Sequence, residues 1–438
     1  MQTGPMDREG AFAEPPKTPP RRGTDVVSIG PEPLPEGGTP NAVALVLDAH
    51  QKSALAAIRS LGRRGIPVIA ASHRSTAMGL YSRYVRHRFL YPSPLRDRPG
   101  FTAQIKRQTQ GSDPAVLFAF SDSTFLPLAD ARSEGRWILP RPSADSLQIA
   151  FDKARTLQLA ASLEIATPAT YSDTKAHDFA AFLKECHFPV VVKPRRSVSW
   201  HHGPGTHSTP KFATSLSESK ALCAELLAVT GEFPLVQEYV YGEQASVQFL
   251  CDRGAILATC ANRRLRSSHP CGGPGALKQT VPFSYHGIGE RAQHLVSALN
   301  WSGPIMVEFK IDAVSGEPKL MEINGRFWGS LPLAVFAGVD FPYLYYRVAL
   351  GIETQPVLDY DVGLTSRHLL GDLRHLYQVL LSRDPMRSVS YPPRWQAIQQ
   401  FLITGRRCKS DVAAARDPVP AVAEILDAAS AVFSRIFR

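Results

Sequence analysis

The sequence predicts an α/β (α+β) protein built in two styles. A Rossmann-like parallel α/β region comes first, and a module of hairpin-joined strands follows it. Three observations carry this. Short apolar runs alternate with helical stretches between residues 41 and 142, as strands buried on both faces do. From Ser143 the pattern shifts to a long helical stretch and then to strands joined by tight turns. Late in this module, "KLMEINGRFWGSLPLA" alternates so that Glu322 and Asn324 share one strand face, with Met321 and Ile323 on the other.

Taken in order, residues 1–40 hold nine Pro and six Gly with few apolar clusters, and are expected to be a disordered tail. The run Val43–Leu47 reads as a buried strand. Leu55, Ile58 and Leu61 follow at helical spacing, and Gly65 is the stop. "IPVIAAS" and "AVLFAFSD" are further strands, and "WILPRPS" closes the region near residue 142. The first strand–helix turn, "LDAHQKS", lacks the glycines of a dinucleotide loop, so no nicotinamide cofactor is assigned.

The stretch "SADSLQIAFDKARTLQLAASLEIATP" reads as helical and carries Asp152-Lys153. "FPVVVKP" is a strand ending at Lys193. The irregular loop "RRSVSWHHGPGTHSTP" contains His201, His202 and His207. A metal site there competes with a loop closing over phosphates, and the loop is favoured, because no acid or Cys of zinc spacing lies nearby. "LVQEYVYGEQASVQFLCDRGAILATCANRR" supplies more strands. "PIMVEFKID" and "PKLMEIN" form a pair across the turn "AVSGE". After residue 350 the pattern weakens. The final helix places Val422, Ile425, Leu426, Ala429, Phe433 and Ile436 on one face, expected to dock on the body.

Composition narrows the function. The chain has 438 residues, 44% of them apolar and 20% charged, enough for two or three domains with a sizeable core. No apolar run reaches the roughly 18 residues of a membrane span, and the polar start lacks a signal-peptide core. The expectation is a cytoplasmic protein without stable membrane insertion. The six Cys are scattered, which favours reduced thiols over a disulfide framework or zinc site. Cys271 has no evident base partner and is not read as a nucleophile. The net charge of +10 suits anionic ligands, yet the basic clusters are short and lack interleaved aromatics. Nucleic acid is therefore not an expected partner.

The pair of late strands brings the chemistry together. Glu308 shares its face with Met306 and Lys310, and pairing across "AVSGE" sets Glu308 beside Glu322. Two carboxylates and the Asn324 amide then converge, and hard oxygen donors of this kind suit Mg²⁺ carrying substrate phosphates. Lys153 and Lys193 sit at element edges where an ammonium reaches phosphate oxygens. The linker "QEYV" followed by "GE" offers backbone groups to an adenine edge and Glu243 to ribose hydroxyls. "NRRLRSSHPCGGPGALK" fits a carboxylate clamp, with Arg264 as candidate, and equally fits an exposed basic loop.

In this order, "FDKARTLQLAASLEIATP", "FPVVVKP", "VQEYVYGEQ", "IMVEFKID" and "LMEINGR" resemble the ATP-grasp superfamily over residues 41–350. Within it they look most like carboxylate–amine ligases related to carbamoyl-phosphate synthase and biotin carboxylase. The resemblance implies a pre-ATP-grasp domain at 41–142 and a two-lobed ATP-grasp domain at 143–350, with its lid at about 170–240 and its catalytic lobe at about 241–350. A mostly helical extension at 351–438 completes the chain. It implies that Lys153 and Lys193 contact ATP phosphates. Glu238, Tyr239 and Val240 would form the adenine linker, and Glu243 would hold ribose. Glu308, Glu322 and Asn324 would ligate Mg²⁺, with Mn²⁺ as a substitute. Arg326 would stabilise the transferred phosphoryl group. Gly325 departs from the pattern, since many relatives have Pro between the Asn and the Arg; the expected consequence is a change of stiffness more than of chemistry. The implied activity is ADP-forming ligation of a small-molecule carboxylate to an amine, with a homodimer as a further expectation. The alternative is a non-catalytic nucleotide-binding module with a regulatory or assembly role.

Overall fold

The structure is a computed structural model. It describes residues 42–110, 114–131, 136–172, 176–201, 203–381, 391–403 and 408–436. The expected tail at 1–40 lies outside them. These described residues form one compact unit.

The chain opens with β1 (Val43–Val46), α1 (Lys52–Arg63), β2 (Val68–Ser72), β3 (Val85–Leu90), α2 (Arg98–Thr109), β4 (Ala115–Phe118), α3 (Asp122–Asp130) and β5 (Trp137–Ile138). The five strands make one parallel sheet in the order β3-β2-β1-β4-β5. Gly65 (φ 75°) ends α1 in the left-handed region that glycine adopts freely.

The expected helix after Ser143 is two helices, α4 (Ala144–Phe151) and α5 (Lys153–Ser162). The break is Asp152, a buried residue that caps α5 by accepting from Ala154 N at 3.0 Å. A smaller lobe follows, with β6 (Thr170–Tyr171), α6 (Ala176–Glu185), β7 (Val190–Lys193), β8 (Val198–Ser199), β9 (Thr206–His207), β10 (Lys211–Ala213), α7 (Leu216–Thr230) and β11 (Leu235–Glu238). Its sheet runs β10-β7-β11-β6, and β8 and β9 form a separate small hairpin. This lobe has its own core around Tyr171, Phe179, Val190, Val192, Leu226 and Val236.

A larger sheet completes the protein. Its first elements are β12 (Gly242–Asp252), β13 (Ala255–His269), β14 (Gly272–Thr280), α8 (Ile288–Ala298), β15 (Gly303–Asp312) and β16 (Pro318–Asn324). Then come α9 (Leu331–Phe336), α10 (Phe341–Ala349), β17 (Thr365–Arg367), α11 (Leu369–Leu381), α12 (Arg394–Leu402), β18 (Cys408–Ser410) and α13 (Val419–Ile436). The strand order is β16-β15-β12-β13-β14-β17-β18. One face packs on α8 through Val247, Phe249, Val307 and Phe309. On the other face, Cys260 and Met306 join a core shared with α9, α10 and the first sheet, through Val46, Phe118, Phe327 and Tyr345. The larger sheet and the N-terminal domain are thus cemented by common apolar burial, whereas the β6–β11 lobe stands on a core of its own.

The last helix differs from the expectation. Val422, Ile425 and Leu426 are 56%, 56% and 63% exposed. The helix docks through its other side, with Ala421 and Ala423 against Leu55 and Met78. Asp427 accepts from Arg74 and Thr76, and Glu424 pairs with His368. Polar partners on the body outcompete the apolar stripe for that surface. The Phe433 and Ile436 side chains lie outside the described residues.

Candidate functional site

Period-2 alternation on antiparallel strands builds the site. Glu308 and Glu322 occupy one register position across β15 and β16, and Met306 pairs with Asn324. A bulge at Met321 lets both Leu320 and Ile323 face the α8 core while Glu322 and Asn324 keep the opposite face. Gln244, Ser246, Lys310, Asn262 and Arg264 share that face through the β12 pairings. Asn324 Nδ2 reaches Glu322 Oε1 at 3.2 Å and Glu308 Oε1 at 3.4 Å, and Asn324 Oδ1 accepts from Arg326 Nη2 at 3.1 Å.

Cations ring this pair. Lys153, at the start of α5, lies 3.6 Å from Glu322 and donates to Ser197 Oγ at 3.1 Å. The Asp152 cap fixes it, because the same carboxylate grips Arg195 and Arg196, and Lys153 N donates to Arg195 O. Lys193 ends β7 at 7% exposure. Burial lowers its pKa to about 8, against the pull of Glu322. Lys310 is likewise lowered to about 8 by burial; its Nζ donates to Val240 O at 2.6 Å and sits 4.5 Å above the Tyr239 ring. Arg264 lies 3.6 Å from Glu308 and donates to Gln244 Oε1 at 2.6 Å. It belongs to the site, not to an exposed loop. Arg326 donates to Asp122 Oδ1 at 2.7 Å.

The two carboxylates are held differently. Burial, with Glu322 as a like charge, raises Glu308 against Arg264. Burial also pushes Glu322 up, but Lys153, Lys193, Asn324 and Arg326 outweigh it and leave it below the ordinary value. Among the described residues there is no cluster of three His, Cys, Asp or Glu suited to a metal. Two paired carboxylates with an amide beside them fit a hard divalent cation, completed by phosphate oxygens and water.

One expected residue sits elsewhere. Glu243 projects from the opposite face of β12, where Arg263 Nη1 (3.1 Å) and Tyr285 OH (2.7 Å) hold it. The structure does not bring it to Lys310 and Glu308; its neighbour Gln244 is there instead. The reason is the pleat: one residue of register decides the face. Glu238 is engaged by Lys319 (2.7 Å) and Ala169 N (3.1 Å) at the linker. Tyr239 and Val240 lie beside Lys310. Sequence reasoning missed Gln237. It is buried, its Nε2 donates to Thr170 at 2.8 Å, and its Oε1 has no partner. A buried polar residue directly before the linker was the available signal. Gly325 is tighter than a question of stiffness: a Cβ there would come within 2.5 Å of Trp301 and 3.1 Å of Phe151. His207 lies on β9 and His201 in the connection between β8 and β9; His202 lies outside the described residues.

A parallel α/β domain, a separate lid and a carboxylate-bearing antiparallel sheet define an ATP-grasp fold, and the chain has one. A family profile described as "ATP-grasp in the biosynthetic pathway with Ter operon" matches residues 232–369. The carbamoyl phosphate synthase large chain of Saccharolobus islandicus is 25% identical over 229 residues, which cover 47% of this chain and 21% of that one. The chain thus matches about a fifth of the length of these curated relatives. Among solved structures, the biotin carboxylase domain of Hydrogenobacter thermophilus 2-oxoglutarate carboxylase, in complex with MgADP, superposes with a TM-score of 0.58 at 15% identity. That match covers 75% of this chain and 74% of that one. N5-carboxyaminoimidazole ribonucleotide synthetase of Thermus thermophilus gives 0.52 at 17% identity, over 74% and 81% of the two chains. L-amino acid ligase of Bacillus licheniformis gives 0.51 at 16%, over 71% and 74%.

Proposed function

We propose that the protein is an ATP- and Mg²⁺-dependent ligase that activates a small-molecule carboxylate as an acyl phosphate and joins it to an amine, releasing ADP and phosphate. The observation that carries this is the Glu308–Glu322 pair with Asn324, set against Lys153 and the buried ammonium of Lys193. Such a charge arrangement calls for an anion that brings its own cation. A relative's complex with MgADP supports the same nucleotide.

Glu308 and Glu322 would hold the cation, joined by Asn324 once its amide turns its oxygen, which here accepts from Arg326, toward them. When bound, it offsets repulsion between triphosphate and carboxylate. Lys153 and Lys193 bind phosphate oxygens. The linker at Glu238–Val240, with Gln237 Oε1 as an open acceptor for an amino group, takes the base. Arg326 is braced by Asp122 and Asn324 and so meets the transferred phosphoryl group without reorganising. Arg264 is the candidate for the substrate carboxylate. The chain's contribution is positioning and electrostatics.

Carboxylate-dependent ADP release tests this. Glu322→Gln keeps size and shape but removes the charge, and should lower turnover by about a hundredfold or more with the melting temperature kept. Full turnover in that variant, or nucleotide binding without any carboxylate-dependent ADP release in the native protein, would overturn the reading.

A further inference from the structure

Sheet order in the N-terminal domain singles out a second place. From β1 the chain continues to β2 on one side and, later, to β4 on the other. At such a reversal the loops leave in opposite directions and open a crevice beyond the carboxyl ends of the strands. Asp48, two residues after β1, organises the floor. It is buried with φ 53°, in a region non-glycine residues seldom adopt. Its carboxylate accepts from Phe120 N (3.0 Å) and Thr124 Oγ1 (2.7 Å) beyond β4, and from Tyr91 OH (3.3 Å) beyond β3.

Two imidazoles lie near Asp48 at these strand ends, and the phosphoryl chemistry uses neither. His50 is half-buried, with Nδ1 3.4 Å from Ser72 Oγ at the end of β2. His73 is exposed and meets it edge-on at 4.9 Å. The crevice adjoins the phosphoryl site, because Arg326 reaches from the catalytic sheet to Asp122 beside it. The lid leans over the same edge. Trp200 Nε1 donates to Pro94 O at 3.2 Å, Gly205 N donates to Leu95 O, and Arg98 lies 5.0 Å over the Trp200 ring. On the outer side α13 closes in through Asp427, paired with Arg74.

We propose that this crevice receives the amine substrate and that His50 accepts the proton its ammonium must lose; the assignment rests on the ligase reading. The free ring nitrogen of His50 takes the proton. The nitrogen lone pair then attacks the acyl carbon, the C–N bond forms, and the bond from carbon to phosphate oxygen breaks. The second proton leaves with the phosphate. The surroundings suit a base. Burial lowers the pKa of His50; Asp48 and Asp427 raise it, and Arg74 lowers it. Burial lowers His73 too, with His50, Arg74 and Arg96 adding to the effect and Asp48 opposing it. In both rings burial disfavours the charged form.

Hydroxylamine, whose nitrogen is already unprotonated at neutral pH, bypasses the step, whereas methylamine and amino acid amines do not. Native protein and His50→Gln would be supplied with ATP, acetate or a common amino acid as carboxylate, and each acceptor in turn. The ratio of amide to hydroxamate formation should fall by about a hundredfold in His50→Gln. In the native protein, amide formation should decline as pH falls through the His50 range, and this acid limb should vanish in the variant. An unchanged ratio, an equal loss of both reactions, or a native protein that forms hydroxamate but joins none of the amines would overturn the acceptor assignment alone. Absence of carboxylate-dependent ADP release from native protein would overturn the ligase reading, and this inference with it.

Discussion

Lys193 shows how one residue ties burial to chemistry. Its ammonium lies among Lys153 and Lys310 as like charges and Glu322 and Glu308 as opposite ones, and burial dominates. Phosphate binding needs the charged form. With the pKa lowered to about 8, the charged fraction drops as pH rises through that value. The KM for ATP should therefore rise by about tenfold between pH 8 and 9.5, whereas Lys193→Arg, charged throughout, should show a flat profile even if its overall affinity is lower. An unchanged slope in that variant would place the titration elsewhere. At this scale the sequence was legible where strand alternation governs, as at Glu308, Glu322 and Asn324. It failed at Glu243 because a single step of register reverses a side chain's face. Asp122 was illegible because its partner, Arg326, lies 204 residues away in the chain.

Among the elements, β3 escaped notice for a physical reason. It is an edge strand, "VRHRFL", largely exposed and rich in charge, so neither apolar continuity nor alternation marks it. The split of the helix at Asp152 was equally hidden, since Asp fits a helical window until its cap and its arginine partners are seen. The β8–β9 hairpin is the element that should move. Its Trp200 contacts are one hydrogen bond and one stacked guanidinium, worth about 1 and 0.5–1 kcal/mol. Trp200→Ala should raise the KM for ATP by about tenfold and leave the thermal midpoint nearly unchanged, because the lid core does not include it. A large fall in midpoint with unaltered KM would mean that the contact is architectural.

Across the whole molecule, one buried carboxylate joins three regions. Asp411, beyond β18, meets Lys278 of β14 at 2.5 Å and Lys52 of α1 at 2.8 Å. Both ammoniums outweigh its burial and hold it well below the usual carboxylate range. Lys278 is lowered to about 7 by burial, with Asp411 opposing. Asp411→Asn strands two cations and should cost about 3–5 kcal/mol, or roughly 4–6 °C in midpoint at this size. The sign follows from linkage: a lysine depressed in the folded state destabilises below its folded pKa. The deficit should thus be largest near pH 6 and shrink toward pH 10, which melting at the two values checks. The alternation of strands and helices made the N-terminal domain readable. Its fusion to the catalytic sheet was not, because apolar residues look alike whichever partner covers them.

That fusion has an outcome for any recombination of the two halves. Val46, Phe118, Phe327 and Tyr345 are covered only when both halves are present. A chain severed near residue 142 would leave each fragment with a bare oily flank, prone to clumping. A chimera that replaces one half must therefore match the other across these four side chains, or it inherits the same bare flank.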